Sequence, residues 1–259
     1  MKNKVKILSA GALVATMCLF ATLKDAKATP STQIWIPSTD IQGFKTFHLG
    51  IDNYLRTENI NGVRGAGIYD IGPEFGFLPF SKLQGEVGFD YLSMGDANYD
   101  NHPFYLNLKL GTGEDSLFKY CPAIAIGAYN VGFQKDLTNY NVFYGLIAKT
   151  LPVLGRFSVG YYTGNEKLLV DETGKKANSG VLVSLDRTMT EISDKLWIGI
   201  DYQGGQNYLG GLSFGASWAF SKNVSVIFGY DLWNNKKAVY NTYNVNTNSF
   251  TTQLDINFP

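Results

Sequence analysis

The chain has 259 residues, 22 basic and 22 acidic, and no formal net charge, a length suited to one large β domain or two small ones. Without a basic surplus it is a poor candidate for a nucleic-acid binder. Its two cysteines, Cys18 and Cys121, cannot build a thiolate metal cluster.

The chain begins with Lys2, Lys4 and Lys6, continues as an apolar run from Ile7 to Leu23, and reaches Ala26-Lys27-Ala28. A basic start, an apolar middle and an A-x-A site predict a secretory signal peptide over 1–28. The apolar run is short for a spanning helix. Met17 stands before Cys18, where a lipoprotein signal needs a small residue. Removing 1–28 takes five lysines and Asp25 from the totals, leaving 17 basic against 21 acidic residues and a net charge of −4. It also removes Cys18, so Cys121 has no intrachain partner. Residues 29–45 are expected to be a periplasmic lead-in, with Gln33–Ile41 available for interaction.

From residue 46 onward the dominant period is two. Leu49, Ile51 and Leu55 alternate with Gly50, Asp52 and Arg56; Tyr69, Ile71 and Phe75 alternate with Asp70, Gly72 and Glu74. Val87, Phe89 and Tyr91 alternate with Glu86, Gly88 and Asp90, and Leu106, Leu108 and Leu110 with Asn107 and Lys109. The pattern returns at Phe157–Tyr161, Leu196–Tyr202, Leu212–Phe220, Val224–Tyr230 and Phe250–Phe258. Successive side chains of a strand point to opposite faces, so each segment predicts one apolar and one wet wall. The predicted strands are 46–56, 67–78, 83–95, 103–113, 121–134, 140–151, 156–164, 180–189, 196–203, 208–220, 224–234 and 249–258, with ten or fourteen as alternative counts. In the fifth strand Ala125, Gly127, Tyr129 and Val131 are placed outward, and in the sixth Val142, Tyr144, Leu146 and Ala148.

A soluble sandwich would alternate too, but a wet face rich in Gly, Ser, Asn and charge would make it a bad core. The predicted fold is all-β: an antiparallel up-and-down transmembrane β-barrel of about twelve strands over 46–259, with its apolar wall toward lipid. Pro79–Lys82, Pro152–Gly155 and Ser221–Asn223 read as tight periplasmic turns. Thr57–Ala66, Asp96–His102, Asn165–Ser179 and Asn235–Asn248 read as external loops; Lys135–Asn139 and Gln203–Tyr208 are short for that role.

Leader, alternating strands and tail together resemble the Gram-negative outer-membrane β-barrel proteins, porin-like in type. The tail Gln253-Leu254-Asp255-Ile256-Asn257-Phe258 resembles the C-terminal signal read by the barrel-assembly machinery, although Pro259 follows the aromatic where that signal usually ends. The tail and the Pro-containing turns are also similar to porin-like barrels associated with a phenol-degradation meta-pathway. The resemblance implies the cell outer membrane as location and its lipid and lipopolysaccharide as surroundings. It brings no catalytic residues and no cofactor.

The predicted lumen carries Asp52, Asp70, Glu74, Glu86, Asp90, Asp186, Asp201, Asp231 and Asp255 against Arg56, Lys109, Lys149 and Arg156, with His48 neutral. In an open lumen such an excess of acid favours small cations, since rings of charge set pore selectivity. The alternative is a filled lumen in which these groups pair with one another, giving a structural or interaction barrel. Twelve strands lie between side-chain-filled eight-stranded barrels and sixteen-stranded channels, so geometry leaves both open. Asp96, Asn98 and Asp100 have calcium-loop spacing, but Asn101 and Asn107 stand where an EF-hand needs Gly and Glu, and no metal is assigned. A hydrolase is a minor alternative: His102 lies near Asp100, but no serine follows as a nucleophile. The expected protein is therefore a non-enzymatic channel for small solutes.

Overall fold

The computed structural model describes residues 31–59, 62, 64–243 and 247–258. The expected leader 1–28 and the departure at Pro259 lie outside the described residues.

Twelve strands form one closed barrel: β1 (Phe47–Arg56), β2 (Ile68–Gly76), β3 (Gln84–Ser93), β4 (Phe104–Thr112), β5 (Ala123–Gly132), β6 (Asn139–Leu151), β7 (Gly155–Thr163), β8 (Ser179–Thr188), β9 (Leu196–Gln203), β10 (Gly211–Ala219), β11 (Val224–Trp233) and β12 (Ser249–Phe258). Each strand pairs antiparallel with its sequence neighbours, and β1 closes on β12 from Phe47↔Phe258 to Arg56↔Ser249. Strands of eight to thirteen residues are long enough to cross a bilayer core when tilted. Closure leaves no free sheet edge, which hydrocarbon could not satisfy. Among the described residues, two short helices, α1 (Ala97–Asp100) and α2 (Lys236–Tyr243), lie in connections at one end.

The apolar alternation faces outward. Ile51, Leu55, Tyr69, Ile71, Phe89, Tyr91, Leu106, Phe157, Ile200, Phe214 and Phe228 are all exposed on the barrel surface. Their strand neighbours Tyr54, Arg56, Glu86, Lys109, Asp201, Ser213 and Asp231 are buried inside. A continuous apolar belt around a polar interior is what burial in hydrocarbon selects, because a charge at the midplane of that belt costs roughly 2–4 kcal/mol for Arg or Lys.

β6 reverses the expected facing, and β5 does so up to its bulge; beyond it Val131, opposite the exposed Leu106, faces outward as expected. On β6 the exposed residues are Phe143, Ile147 and Leu151, while Val142, Tyr144, Leu146 and Ala148 are buried inward. On β5 Ile124 and Ile126 face out, and Ala123 and Ala125 face in. A bulge shifts the β5 register between Tyr129 and Val131, with Asn130 at φ +52°, so the exposed ring beyond it is Phe133. Both faces of these strands are apolar. The inner wall of β5–β8 meets a cluster of Tyr105, Tyr140, Val142, Tyr144, Leu146, Tyr162 and Leu182. Period two then gives the strand but not which side is which.

The reversal moves one predicted lumen residue. Lys149 shares the outward parity of Ile147 and Leu151, and its Nζ pairs with Glu114 at 2.7 Å and Asp115 at 3.1 Å in the β4–β5 turn. It sits at the rim, where a long stem can lie along the wall while the ammonium reaches the turn.

The largest difference concerns 29–45. The described part, from Ser31, folds into the barrel. Ser38 N donates to Ser31 O at 3.0 Å and Gln33 N to Ile36 O at 2.8 Å, making a small hairpin with Ile34 and Trp35 at its tip. Gln33, Ile34, Ile36, Ser38 and Thr39 are almost fully buried. The chain leaves the lumen past Gly76, where a Cβ would fall 1.9 Å from Gly43 O; only glycine allows so close an approach.

Candidate solute pathway and its internal segment

The lumen has two unlike walls. On β1–β4 and β12, His48, Asp52, Asp70, Glu74, Glu86, Asp90, Lys109 and Asp255 line a cavity of about 180 Å³. Gly50, Gly72 and Gly88 floor it. A Cβ on Gly72 would come within 2.8 Å of Asp90 Oδ1, and one on Gly88 within 2.7 Å of Glu74 Cγ, so these glycines let the carboxylates lie low over the sheet. Its aromatic lining comes from Trp35 of the segment, Tyr54 of β1, Tyr129 of β5, Tyr144 of β6, Tyr208, and Trp233 of β11.

Each of the nine predicted acids points into the lumen, but their partners differ. Glu86 and Lys109 form a buried pair at 2.9 Å. Arg156 bridges Asp186 at 3.0 Å and Asp40 of the internal segment at 2.6 Å. Asp231 accepts from Ser213 Oγ and Ser249 Oγ, both at 2.8 Å. Asp90 accepts from Asn107 Nδ2 at 2.7 Å, and Glu74 from Ser31 Oγ. Asp255 accepts from Ser225 Oγ at 3.3 Å and lies 3.5 Å from His48 Nε2. No hydrogen bond among the described residues reaches Asp52 Oδ1 or Asp70 Oδ1. Arg56 lines the same cavity at its far end.

Asp201 serves the segment directly: its Oδ2 accepts from Ile34 N at 2.8 Å and Trp35 N at 3.0 Å. Gln253 Nε2 donates to Ile34 O at 2.7 Å. Lys109 Nζ donates to Ser31 O and Asp40 O, both at 2.9 Å, and Glu86 Oε2 accepts from Gln42 N at 2.7 Å. The sequence signal for this placement was Ile34-Trp35-Ile36, an apolar triplet in a stretch expected to face water. On the other side of the segment, a wider pocket lies at the mouth beside the termini, lined by Asp40, Glu114, Arg156, Asp186 and Trp197. The segment thus stands between two spaces.

The opposite mouth is narrowed by its connections. Leu169, Tyr208, Leu209 and Val239 fold into the apolar cluster. Asn207 Nδ2 donates to Tyr162 Oη at 2.9 Å and to Ala177 O at 2.5 Å, tying 204–210 to 164–178. The acidic 96–100 stretch is spent on backbone: Asp96 Oδ1 accepts from Asn98 N, and Asp100 takes Met94 N and Gly95 N. Among the described residues no group of three or more His, Cys, Asp or Glu is placed to hold a metal.

Among solved structures, the chain is similar to the NanC porin, with a TM-score of 0.50 at 9% identity, covering 82% of this chain and 99% of that one. The fold is porin-like. The KdgM porin (TM-score 0.49, 8% identity, 82% and 98% covered) and Omp33 of Acinetobacter baumannii (0.42, 8%, 83% and 98%) are also matched. At such identities the likeness concerns fold alone. No protein-family profile and no curated protein sequence matches the chain. The narrower likeness to phenol-degradation barrels thus rests on the tail and turns alone.

Proposed function

We propose that this barrel sits in an outer membrane as a non-enzymatic, narrow channel for small solutes, with a preference for cations. Its apolar belt would face lipid and lipopolysaccharide, and the mouth holding the termini would face the periplasm. The tail at Phe258 would be the part met by the barrel-assembly machinery, after secretion directed by 1–28. One observation carries the reading: Asp52, Asp70 and Asp90 enter one cavity of the lumen and have no ion-pair partner among the described residues. Fixed carboxylates in a low-dielectric tube raise the local cation concentration and repel anions.

The mature protein in a planar bilayer, bathed in a KCl gradient, tests this. Unitary currents with a reversal potential on the cation side are expected. No unitary current at any salt, from wild type and from a variant that breaks the Arg156–Asp40 contact, would remove the channel.

A specific observation favours a second reading, a filled barrel acting through its loops. Segment 31–43 occupies the lumen, and Lys109 and Arg156 are already paired there. A silent wild type that also stays silent when the Arg156–Asp40 contact is broken would support that reading.

A further inference from the structure

The barrel wall grips the main chain of its internal segment with side chains from four strands. Asp201 accepts two consecutive backbone N–H groups, from Ile34 and Trp35. Gln253 donates to the carbonyl between them. Lys109 donates to two further carbonyls, and Glu86 accepts a further N–H. These four side chains come from β3, β4, β9 and β12, remote from the segment in sequence. Two of them thus satisfy the donors and two the acceptors of a peptide backbone, whatever its side chains. Side chains are read by polar contacts, with Gln33 Nε2 donating to Asp186 and Arg156 to Asp40, and by two apolar recesses. Ile34 packs with Trp197 and Ile227. Trp35 meets Tyr54 edge-on at 5.4 Å and Trp233 at 4.8 Å between ring centroids, and its Nε1 donates to Leu209 O at 2.8 Å.

From this we infer that the lumen is a peptide-binding site now filled by the chain's own segment, and that its ligand class is short oligopeptides carrying an aliphatic–aromatic pair at a turn. The site belongs to the barrel, since every group that grips the backbone is a wall residue. A peptide arriving from outside meets the same donors, acceptors and recesses. It competes with a tethered copy, whose effective concentration is on the order of millimolar for a short linker. The wild type therefore masks the site, and weakening the tethered copy exposes it.

The experiment uses the full mature chain in detergent micelles with a fluorescently labelled peptide of residues 31–42, read by anisotropy. Ile34→Ala with Trp35→Ala changes only the segment's tip and leaves every wall group in place. This variant is expected to bind the peptide at least about tenfold more tightly than wild type. Adding Asp201→Leu, or separately Gln253→Leu should the first not fold, is expected to remove at least tenfold of that gain. A peptide with Ile34 and Trp35 both replaced by serine should bind at least tenfold more weakly. Equal binding by wild type and the Ile34→Ala/Trp35→Ala variant overturns the inference, as does indifference to the wall substitutions. The readout needs no current, so silence from wild type and from the variant lacking the Arg156–Asp40 contact, with peptide binding, would remove the channel and keep the site. Current without peptide binding would do the reverse.

Discussion

Asp52 on β1 and Asp70 on β2 are direct cross-strand partners, and both enter the same cavity. Like charges placed directly opposite on one face of a sheet repel, so this pair costs stability unless a cation is near. The next pair on that face, Gly50 and Gly72, leaves the carboxylates room above the sheet. Asp52→Asn with Asp70→Asn is therefore expected to move the reversal potential in a KCl gradient toward zero. The double variant should be as stable as wild type or more so. An unchanged reversal potential would show that these two carboxylates do not face the conducting path.

A second contact should set how much of that path is open. Arg156 grips Asp40 at 2.6 Å from the wall and keeps Asp186 as its other partner. Asp40→Asn loosens the segment without stranding the guanidinium. The Asp40 side chain is 36% exposed, so the contact is worth no more than about 1 kcal/mol. That corresponds to a roughly fivefold shift between seated and released segment at most. Longer or more frequent high-conductance openings are expected for Asp40→Asn in single-channel records. Asp186→Asn should be more disruptive, because Asp186 also accepts from Gln33 Nε2 at 3.0 Å and Trp197 Nε1 at 3.1 Å. Indistinguishable records from Asp40→Asn and wild type would mean that the segment does not gate current.

Where one face of a strand is greasy and the other wet, the sequence carries both strand and facing. This holds for β1 to β4, β7 and β9 to β12, and it places Asp52, Glu86, Asp201 and Asp255 inward without further information. On β6 the inner face carries Val142, Tyr144 and Leu146 and the outer face Phe143 and Ile147, so alternation has no contrast and the facing was inverted. Lys149 went astray with it. The internal segment was hidden for a different reason. Its partners Glu86, Lys109, Asp201 and Gln253 are scattered over the sequence, and nothing local in 31–43 announces them. Only the apolar triplet Ile34-Trp35-Ile36, in a stretch expected to be wet, hints at it.

The facing of β6 can be checked by energy. Ile147 is 46% exposed on the outer wall, whereas Leu146 is 2% exposed within the inner cluster. Ile147→Arg is expected to destabilise the bilayer-folded barrel by roughly 2–4 kcal/mol near the midplane and less toward the rim. Leu146→Ala should cost about 2–5 kcal/mol through the cavity it leaves. Reversible urea unfolding from lipid vesicles measures both. A neutral Ile147→Arg would place that residue in water and return β6 to the opposite facing.

The β4–β5 turn offers a pH test away from the membrane-spanning strands. Partial burial works to raise the Glu114 carboxyl, but hydrogen bonds from Lys149 and Thr150 outweigh it and hold the group below the usual glutamate range. Those bonds are Lys149 Nζ at 2.7 Å, Thr150 Oγ1 at 2.8 Å and Thr150 N at 3.1 Å. A carboxyl depressed in the folded state adds stability above its unfolded pKa of about 4.3, and that stability fades as pH falls through the lower folded value. Wild type should therefore unfold at a higher temperature than Glu114→Gln between about pH 5 and 8. The gap should begin to narrow as pH drops through the glutamate range and close below it. A gap that stays constant down to about pH 2 would mean that the glutamine's loss lies in packing or geometry rather than in the ionised contact.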